Sequence, residues 1–157
     1  MELTTRGRYA VMAMVDIAKF ANGNAVALRS VADRQRLSLS YLEQIFVALR
    51  RAGLVESIRG RTGGYVLSRP AQDISIAEIM AAVEERTRMT RCMAGDEISC
   101  QGRPGRCLTH NLWRALGDQI RKFLENVSLG DVVSGNTGAE AEPIAELLNG
   151  EFREAAT

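Results

Sequence analysis

Apolar residues recur at helical spacing along most of the chain. The first such stretch predicts a helix from Thr5 to Phe20, and a second, shorter helix is predicted from Ser30. The segment Ser40–Glu43 has the S-x-x-E pattern of a capping box. A third helix is therefore predicted to begin there and to end at Gly53.

A hairpin is predicted after these three helices. Leu54–Arg59 and Tyr65–Leu67 have the composition of strands, and the glycines between Gly60 and Gly64 favour a turn because glycine adopts positive φ at little cost. The order helix, helix, turn, helix, hairpin is that of a winged helix-turn-helix domain. We therefore predict a DNA-binding domain of this type over residues 1–70.

The second half of the chain is predicted to contain a short helix, a loop and a long helix. Another capping box at Ser75–Glu78 starts a helix that ends near Glu85, and an irregular loop over residues 90–110 follows it. The long helix is predicted from about Thr109 to about Ser128. It carries a continuous apolar seam formed by Leu112, Leu116, Ile120, Phe123 and Val127.

The seam predicts contact between two copies of the chain. A complete winged domain leaves little of its own subunit to cover so long a helix, whereas a two-fold related helix would cover it. The alternative is packing against the helix predicted over 75–85. The first interpretation predicts a homodimer that recognises a pseudo-palindromic DNA site.

The predicted fold class is mainly α: a winged helix-turn-helix domain with a short β-hairpin wing, followed by a long C-terminal dimerisation helix. Residues 71–133 are predicted to hold the linker helix, the loop and the dimerisation helix. Residues 134–157 are rich in Gly, Ala and Glu and are predicted to be an acidic, flexible tail.

Composition and charge narrow the class of protein. With 46% hydrophobic and 25% charged residues, the 157-residue chain resembles a soluble globular protein. No apolar run approaches the ~20 residues that cross a bilayer, so we expect a cytoplasmic protein with no membrane partner. Residues 1–70 hold 11 basic and 5 acidic residues (net +6), whereas residues 135–157 hold 1 and 5 (net −4). The basic part predicts binding of a polyanion such as double-stranded DNA.

The start of the third helix supplies candidate base-reading residues. In helix-turn-helix proteins, the N-terminal residues of the second helix of the motif meet base edges in the major groove. Glutamine pairs with adenine, glutamate accepts a hydrogen bond from cytosine, and serine suits either, although a serine and a glutamate here also fit a capping role alone. The candidates are Ser40, Tyr41, Glu43 and Gln44.

The tip of the predicted wing supplies further DNA contacts. Arg59 and Arg61 flank Gly60. A minor groove has a negative potential that attracts inserted arginine side chains. The alternative is a turn with two solvated arginines.

Three cysteines and the single histidine predict a metal or redox site. Cys92, Cys100, Cys107 and His110 are clustered, and an odd number of cysteines argues against a disulfide framework. Three thiolates and an imidazole suit zinc or an iron–sulfur cluster, and a metal-free thiol switch is a third interpretation. We do not expect an enzyme, because the sequence has no second histidine and no acid–base pair near the cysteines.

Several segments resemble the IscR-type iron–sulfur cluster regulators, a winged-helix transcription regulator family that also holds iron-responsive and nitric-oxide-sensing relatives. The resemblance extends over roughly residues 1–133. It is carried by Leu3–Val11, Ser38–Gln44, Arg59–Gly60 with Gly63–Tyr65, Cys107–Trp113 and Ser128–Val133.

The resemblance implies a dimeric repressor whose 2Fe–2S cluster comes from the iron–sulfur assembly machinery and controls genes for iron–sulfur biogenesis. The implied ligands are Cys92, Cys100, Cys107 and His110. Seven and six residues separate the successive cysteines, a longer loop than in the IscR pattern and similar to that of relatives with a 4Fe–4S cluster. A 4Fe–4S regulator that responds to iron or nitric oxide is therefore the alternative.

The resemblance also implies a set of DNA contacts. The family's contacting positions correspond to Ser40, Glu43, Gln44 and Arg59 in this sequence. These positions are among the candidates that the helix-turn-helix pattern and the predicted wing supply, and those candidates also include Tyr41 and Arg61.

Overall fold

The computed structural model describes residues 4–84 and 108–138. Within these ranges the chain is mainly helical, with one antiparallel two-stranded hairpin, as predicted. A single 3-10 turn, Ala71–Asp73, precedes the fourth helix. The elements are α1 (Thr5–Phe20), α2 (Leu28–Gln35), α3 (Leu39–Arg51), β1 (Val55–Ile58), β2 (Gly64–Leu67), α4 (Ile76–Ala82), α5 (His110–Asn126) and α6 (Leu129–Ser134).

The core lies where α1, α3 and α4 meet. Met14 and Ile17 of α1 are fully buried beside Phe46 and Leu49 of α3, and Ile79 of α4 completes the cluster. Each helix places its apolar residues three or four positions apart, so one face of each helix is buried and the other is left to solvent. The predicted winged helix-turn-helix arrangement is confirmed.

An ion pair between exposed Arg34 and buried Asp16 joins α1 to α2. Asp16 is only 1% exposed, and its carboxylate accepts hydrogen bonds from Arg34 Nη2 (2.5 Å), Arg34 Nε (3.0 Å) and Gln35 Nε2 (2.8 Å). The hydrogen bonds to Asp16 raise the pKa of Arg34 above its ordinary value. This contact sets the position of α2, and therefore of the turn that leads into α3. No local pattern in the sequence predicts this contact, because the two residues are 18 positions apart.

The wing, formed by β1 and β2, is hydrogen-bonded to the loop that precedes α2. β1 and β2 pair with Val55 opposite Leu67 and Ile58 opposite Gly64. Val26 and Tyr65 exchange two backbone hydrogen bonds of 2.9 Å, so β2 is held on both of its edges. A Cβ atom on Gly64 would lie 2.4 Å from the carbonyl oxygen of Val26, so this close approach requires glycine.

The start of the third helix differs from the prediction. α3 begins at Leu39 with Ser38 as its N-cap, and the predicted capping box at Ser40–Glu43 is wrong. Arg36 ends α2 in a left-handed conformation (φ 55°), and only two residues separate it from the first residue of α3. Half-buried Leu39 packs against the core as part of α3. Ser40 and Glu43 are therefore helical surface residues without a capping role.

The capping box at Ser75 is confirmed. The Ser75 hydroxyl accepts from the Glu78 N–H (3.2 Å), and the Glu78 carboxylate accepts from the Ser75 N–H (2.9 Å). The bond from the Ser75 N–H to this carboxylate is the largest cause that lowers the pKa of Glu78. Hydrogen bonds from Arg69 and from the Ser75 hydroxyl lower the pKa further, so it lies below its usual range. α4 ends at Ala82, earlier than the predicted end near Glu85, and Glu84 has a φ of 59°.

A short helix that was not predicted, α6, follows the long helix. Ser128 and Asp131 form its capping box, and fully buried Leu129 anchors it. The backbone between α5 and α6 pairs with the backbone at the start of α4. The Ile76 N–H donates to the Val127 carbonyl oxygen (2.9 Å), and the Leu129 N–H donates to the Ile74 carbonyl oxygen (2.7 Å). The C-terminal end of α5 is therefore fixed to the rest of the subunit.

Parts of the remaining predictions lie outside the described residues. They are the loop over residues 90–107 and the tail from residue 139 onward. In the ranges that are described, no helix has the length and apolar character needed to cross a membrane.

Candidate nucleic-acid interface

One face of α3 is buried and the opposite face is open to solvent. Leu42, Ile45, Phe46 and Leu49 are fully buried, which fixes how the helix is rotated about its axis. With 3.6 residues per turn, the positions on the side of the helix opposite these four residues point away from the core. The exposed residues, which we call the outward face, are Ser40, Glu43, Gln44, Val47, Arg50 and Arg51.

Three of the predicted base-reading residues lie together on this outward face. Ser40, Glu43 and Gln44 occupy its first turns, and the Ser40 hydroxyl lies 2.9 Å from the hydroxyl of Ser38. Glu43 forms no ion pair with any described residue, so its carboxylate is available to a ligand. An exposed helix end with free hydrogen-bonding groups is the kind of surface that fits a major groove.

Tyr41 occupies a different position from its neighbours. Its side chain is half-buried, and its ring meets that of Tyr9 edge to face with centroids 6.0 Å apart. This contact joins the start of α3 to α1. Much of Tyr41 is therefore used to pack the helix, and its other side remains at the surface.

The predicted wing arginines lie at the tip of the hairpin. Arg59 and Arg61 are both exposed, on either side of Gly60, which has a φ of 124°. Gly63 cannot carry a side chain, since its Cβ atom would lie 2.5 Å from the Ile58 carbonyl oxygen. The tight turn therefore presents both guanidinium groups to solvent on a support that is held by β1 and β2.

His110 is the one predicted cofactor ligand that the structure describes. It is the first residue of α5 and is only 5% exposed. Its Nδ1 atom is buried and has no hydrogen-bond partner among the described residues. Buried polar atoms are nearly always paired, so an unpaired imidazole nitrogen fits a metal ligand. The other three predicted ligands, Cys92, Cys100 and Cys107, lie outside the described residues.

The described residues cover only part of the apolar seam of α5. Val127 is buried and Ile120 is half-buried, whereas Leu112 is 61% exposed and Phe123 is 51% exposed. α5 also contacts α4, so packing against α4 within the subunit remains the alternative interpretation of the seam. A contiguous exposed apolar surface of this kind usually marks an interaction site.

Comparisons with known proteins agree with this architecture. The regulator IscR of Vibrio parahaemolyticus is 48% identical over 136 residues, which cover 87% of this chain and 79% of that protein. The structure of T. potens IscR superposes with a TM-score of 0.70 at 34% identity and covers 89% of this chain and 91% of that one.

A second solved structure carries a different regulatory role. CymR, the global cysteine regulator of B. subtilis, superposes with a TM-score of 0.72 at 31% identity and covers 86% of this chain and 98% of that one. The relatives are transcription regulators that bind DNA, not enzymes, and this chain is of the same kind. The family model described as iron-dependent transcriptional regulator matches residues 3–135, and the chain belongs to this family, Rrf2.

Proposed function

We propose that the chain is a homodimeric repressor that senses iron–sulfur cluster status and controls genes for iron–sulfur biogenesis. In this proposal a 2Fe–2S cluster is held by Cys92, Cys100, Cys107 and His110. The observation that carries it is the buried Nδ1 atom of His110, which has no hydrogen-bond partner among the described residues. His110 lies three residues after a cysteine and at the first position of the long helix. We assign the protein to the cytoplasm, with the iron–sulfur assembly machinery as cluster donor.

The chemistry of the donors fits the cluster. Thiolates are soft ligands that bind iron in such clusters, and an imidazole replaces a thiolate in some of them. When bound, a cluster of this type supplies a redox-active group that is lost when iron or sulfide is scarce. His110 contributes a nitrogen that is already desolvated and fixed in direction by the burial of its ring.

The seam supports the homodimer. Its exposed members, Leu112, Leu116 and Phe123, lie on one face of α5, where a second copy of the helix would bury them. Two copies related by a two-fold axis present two α3 helices to the two halves of a pseudo-palindromic operator. The open face of α5 then becomes the centre of the dimer.

DNA binding is assigned to α3 and the wing. Gln44 pairs with adenine, Glu43 accepts a hydrogen bond from cytosine and Ser40 contacts either a base or a phosphate, since all three lie on the outward face. Arg59 and Arg61 contact the adjacent minor groove or its phosphates. Tyr41 supports the start of α3 through Tyr9 and contributes its exposed edge.

The proposed cluster ligand His110 and the proposed dimer seam lie on the same helix, α5. His110 opens α5, the seam occupies its length, and its last turn is fixed to the backbone before α4. A ligand that binds one state of this helix better than another shifts the population towards that state. Binding or loss of a cluster at His110 can therefore shift α5, and α5 in turn sets the distance between the two α3 helices of the proposed dimer.

Metal analysis of the full chain, purified without oxygen, tests the assignment. We expect about two iron and two sulfide ions per chain and a brown protein, and a His110→Ala variant that loses iron. About four of each favours the 4Fe–4S alternative, and a colourless zinc protein favours a structural site. A metal-free protein that still represses leaves only a thiol switch and overturns the proposal.

A further inference from the structure

Val47 is an apolar residue in the middle of an otherwise polar face. It lies on the outward face of α3 and is 39% exposed. Every other member of that face carries a hydroxyl, amide, carboxylate or guanidinium group. Single exposed apolar residues are common on proteins, so exposure alone assigns no role to Val47. The position of Val47 relative to the neighbouring polar side chains is what indicates a role.

The geometry of the helix sets that position. At 3.6 residues per turn, Val47 is within about 20° of Ser40 around the axis and within about 60° of Gln44. Leu49, two residues further, points to the opposite side and is fully buried. Val47 therefore lies on the line that points directly away from the core, one turn beyond the proposed base-reading residues.

The spacing along the helix places Val47 beside the next base pair. Gln44 and Val47 are separated by about 4.5 Å along the axis. Neighbouring base pairs of DNA are separated by about 3.4 Å. When the first turns of α3 enter a major groove, the isopropyl group of Val47 meets the base step next to the one that Gln44 contacts.

We propose that Val47 is a specificity-determining residue that recognises the C5-methyl group of a pyrimidine in the operator. The major groove offers few apolar groups, and the methyl group of thymine is the main one. Contact between an isopropyl and a methyl group removes both from water, whereas a cytosine or purine at that position leaves Val47 against polar atoms. This inference rests on the proposed docking of α3.

The same methyl group occurs on thymine and on 5-methylcytosine. Both place it at the same point of the major groove, so Val47 alone does not distinguish them. The hydrogen-bonding groups beside Val47 distinguish the two bases. Glu43 accepts a hydrogen bond from the amino group of 5-methylcytosine, which thymine lacks. The experiment therefore includes both bases.

The test uses a duplex selected from a random pool by the full-length protein. Each thymine is replaced in turn, in both half-sites, by deoxyuridine, which lacks only the methyl group. In a second series each cytosine is replaced by 5-methylcytosine. Affinities are measured by fluorescence anisotropy for the unmodified chain, for Val47→Ala and for Val133→Ala, an equally exposed valine on α6 that serves as the control. Alanine favours helix, so Val47→Ala is expected to fold.

We expect one symmetric pair of thymines at which deoxyuridine weakens binding by about 16-fold, since each of the two buried methyl groups contributes roughly fourfold. Val47→Ala should bind thymine and deoxyuridine equally at that pair, and Val133→Ala should behave as the unmodified chain. A gain with 5-methylcytosine that disappears in Val47→Ala supports the same proposal with the other base as the source.

Two results would overturn the inference. One is a duplex that binds tightly but is indifferent to every methyl group; the other is methyl discrimination that persists in Val47→Ala. Both leave sequence-specific binding by α3 intact. Failure of the selection to yield any preferred sequence contradicts the proposed function itself, and the role of Val47 with it.

Discussion

Two amphipathic helices of this chain, α3 and α5, have very different surroundings. The apolar face of α3 is completely buried by its own subunit, so its polar face is the part left to solvent. On α5 only His110 is buried within the helix, and several large apolar side chains remain exposed. An apolar pattern thus identifies a helix face that will be buried, and only the fold reveals whether the same subunit buries it.

The difference assigns separate tasks to the two helices. α3 is fixed within a folded core and can present side chains to DNA at defined angles. α5 is fixed at its C-terminal end through the backbone pairing of Val127 and Leu129 with the segment before α4. The exposed apolar residues of its seam form the surface that we expect a second copy of the chain to bury.

The largest effect is expected from a charge placed in the seam. Leu116→Lys should convert the dimer to a monomer, because a buried ammonium group at the centre of the interface is strongly unfavourable. Loss of bivalent binding should reduce affinity for a palindromic duplex by about 100-fold or more. Analytical ultracentrifugation and anisotropy measure the two changes.

The control for that variant lies on the other side of the same helix. Arg114→Glu also changes charge on α5, at an exposed position away from the seam, and should remain dimeric. A Leu116→Lys protein that stays dimeric with normal DNA affinity would show that the seam is not the interface.

The second largest effect concerns the ion pair that positions the helix-turn-helix. Arg34→Ala leaves the carboxylate of Asp16 buried with Gln35 as its remaining donor. We expect a loss of about 2 kcal/mol in the free energy of unfolding, less than for a fully buried pair because Arg34 is partly solvated. Urea denaturation followed by circular dichroism measures it.

An exposed ion pair on α5 provides the comparison. Arg121 and Asp118 are 3.0 Å apart and both are exposed. Arg121→Ala should change the free energy of unfolding by no more than about 0.5 kcal/mol. Equal losses for the two arginine variants would mean that burial of Asp16 does not determine the strength of the contact.

The sequence predicted the helices and the hairpin because their patterns are local. Thr5–Phe20 and the capping box at Ser75 depend on residues three and four positions apart, and both are confirmed. The capping box predicted at Ser40 is wrong because Ser38 competes for the same role, and only packing of Leu39 decides between them. Local patterns cannot resolve two overlapping caps.

Other features depend on contacts between distant parts of the chain. Asp16 and Arg34 are 18 residues apart, and the pairing of Ser75 with Ser128 joins the two described ranges. No periodicity indicates either contact. The S-x-x-D pattern at Ser128–Asp131 is the local signal that could have predicted α6.

A smaller effect is expected at the outward face of α3. Gln44→Ala should lose base preference at one position, at a cost of about 1–3 kcal/mol in discrimination. Glu43→Ala should relax discrimination at a cytosine and leave the free energy of unfolding within about 0.5 kcal/mol, because Glu43 does not cap the helix. Selection from random duplexes and urea denaturation measure these effects. Unchanged base preference in both variants would remove these residues from the interface.

The smallest effect is a pH dependence of stability from Glu78. Its pKa is lowered in the folded chain, so its contribution is present above the unfolded value near 4.5 and is lost as the pH falls through the lower folded value. Glu78→Gln should flatten the loss of stability below pH 4.5 by less than about 1 kcal/mol, because the side chain is exposed. Denaturation between neutral and acidic pH measures it. Glu84→Gln, also exposed, is the control, and equal curves for the two variants would contradict the assignment.

The central claim is that a cluster on Cys92, Cys100, Cys107 and His110 governs the affinity of the dimer for its operator. The most direct test compares the cluster-loaded chain with Cys100→Ala, both kept free of oxygen and both shown to be folded dimers, on one selected duplex. We predict affinities that differ by about fivefold or more, the usual lower range of coupling between two sites. Equal affinities would contradict the claim.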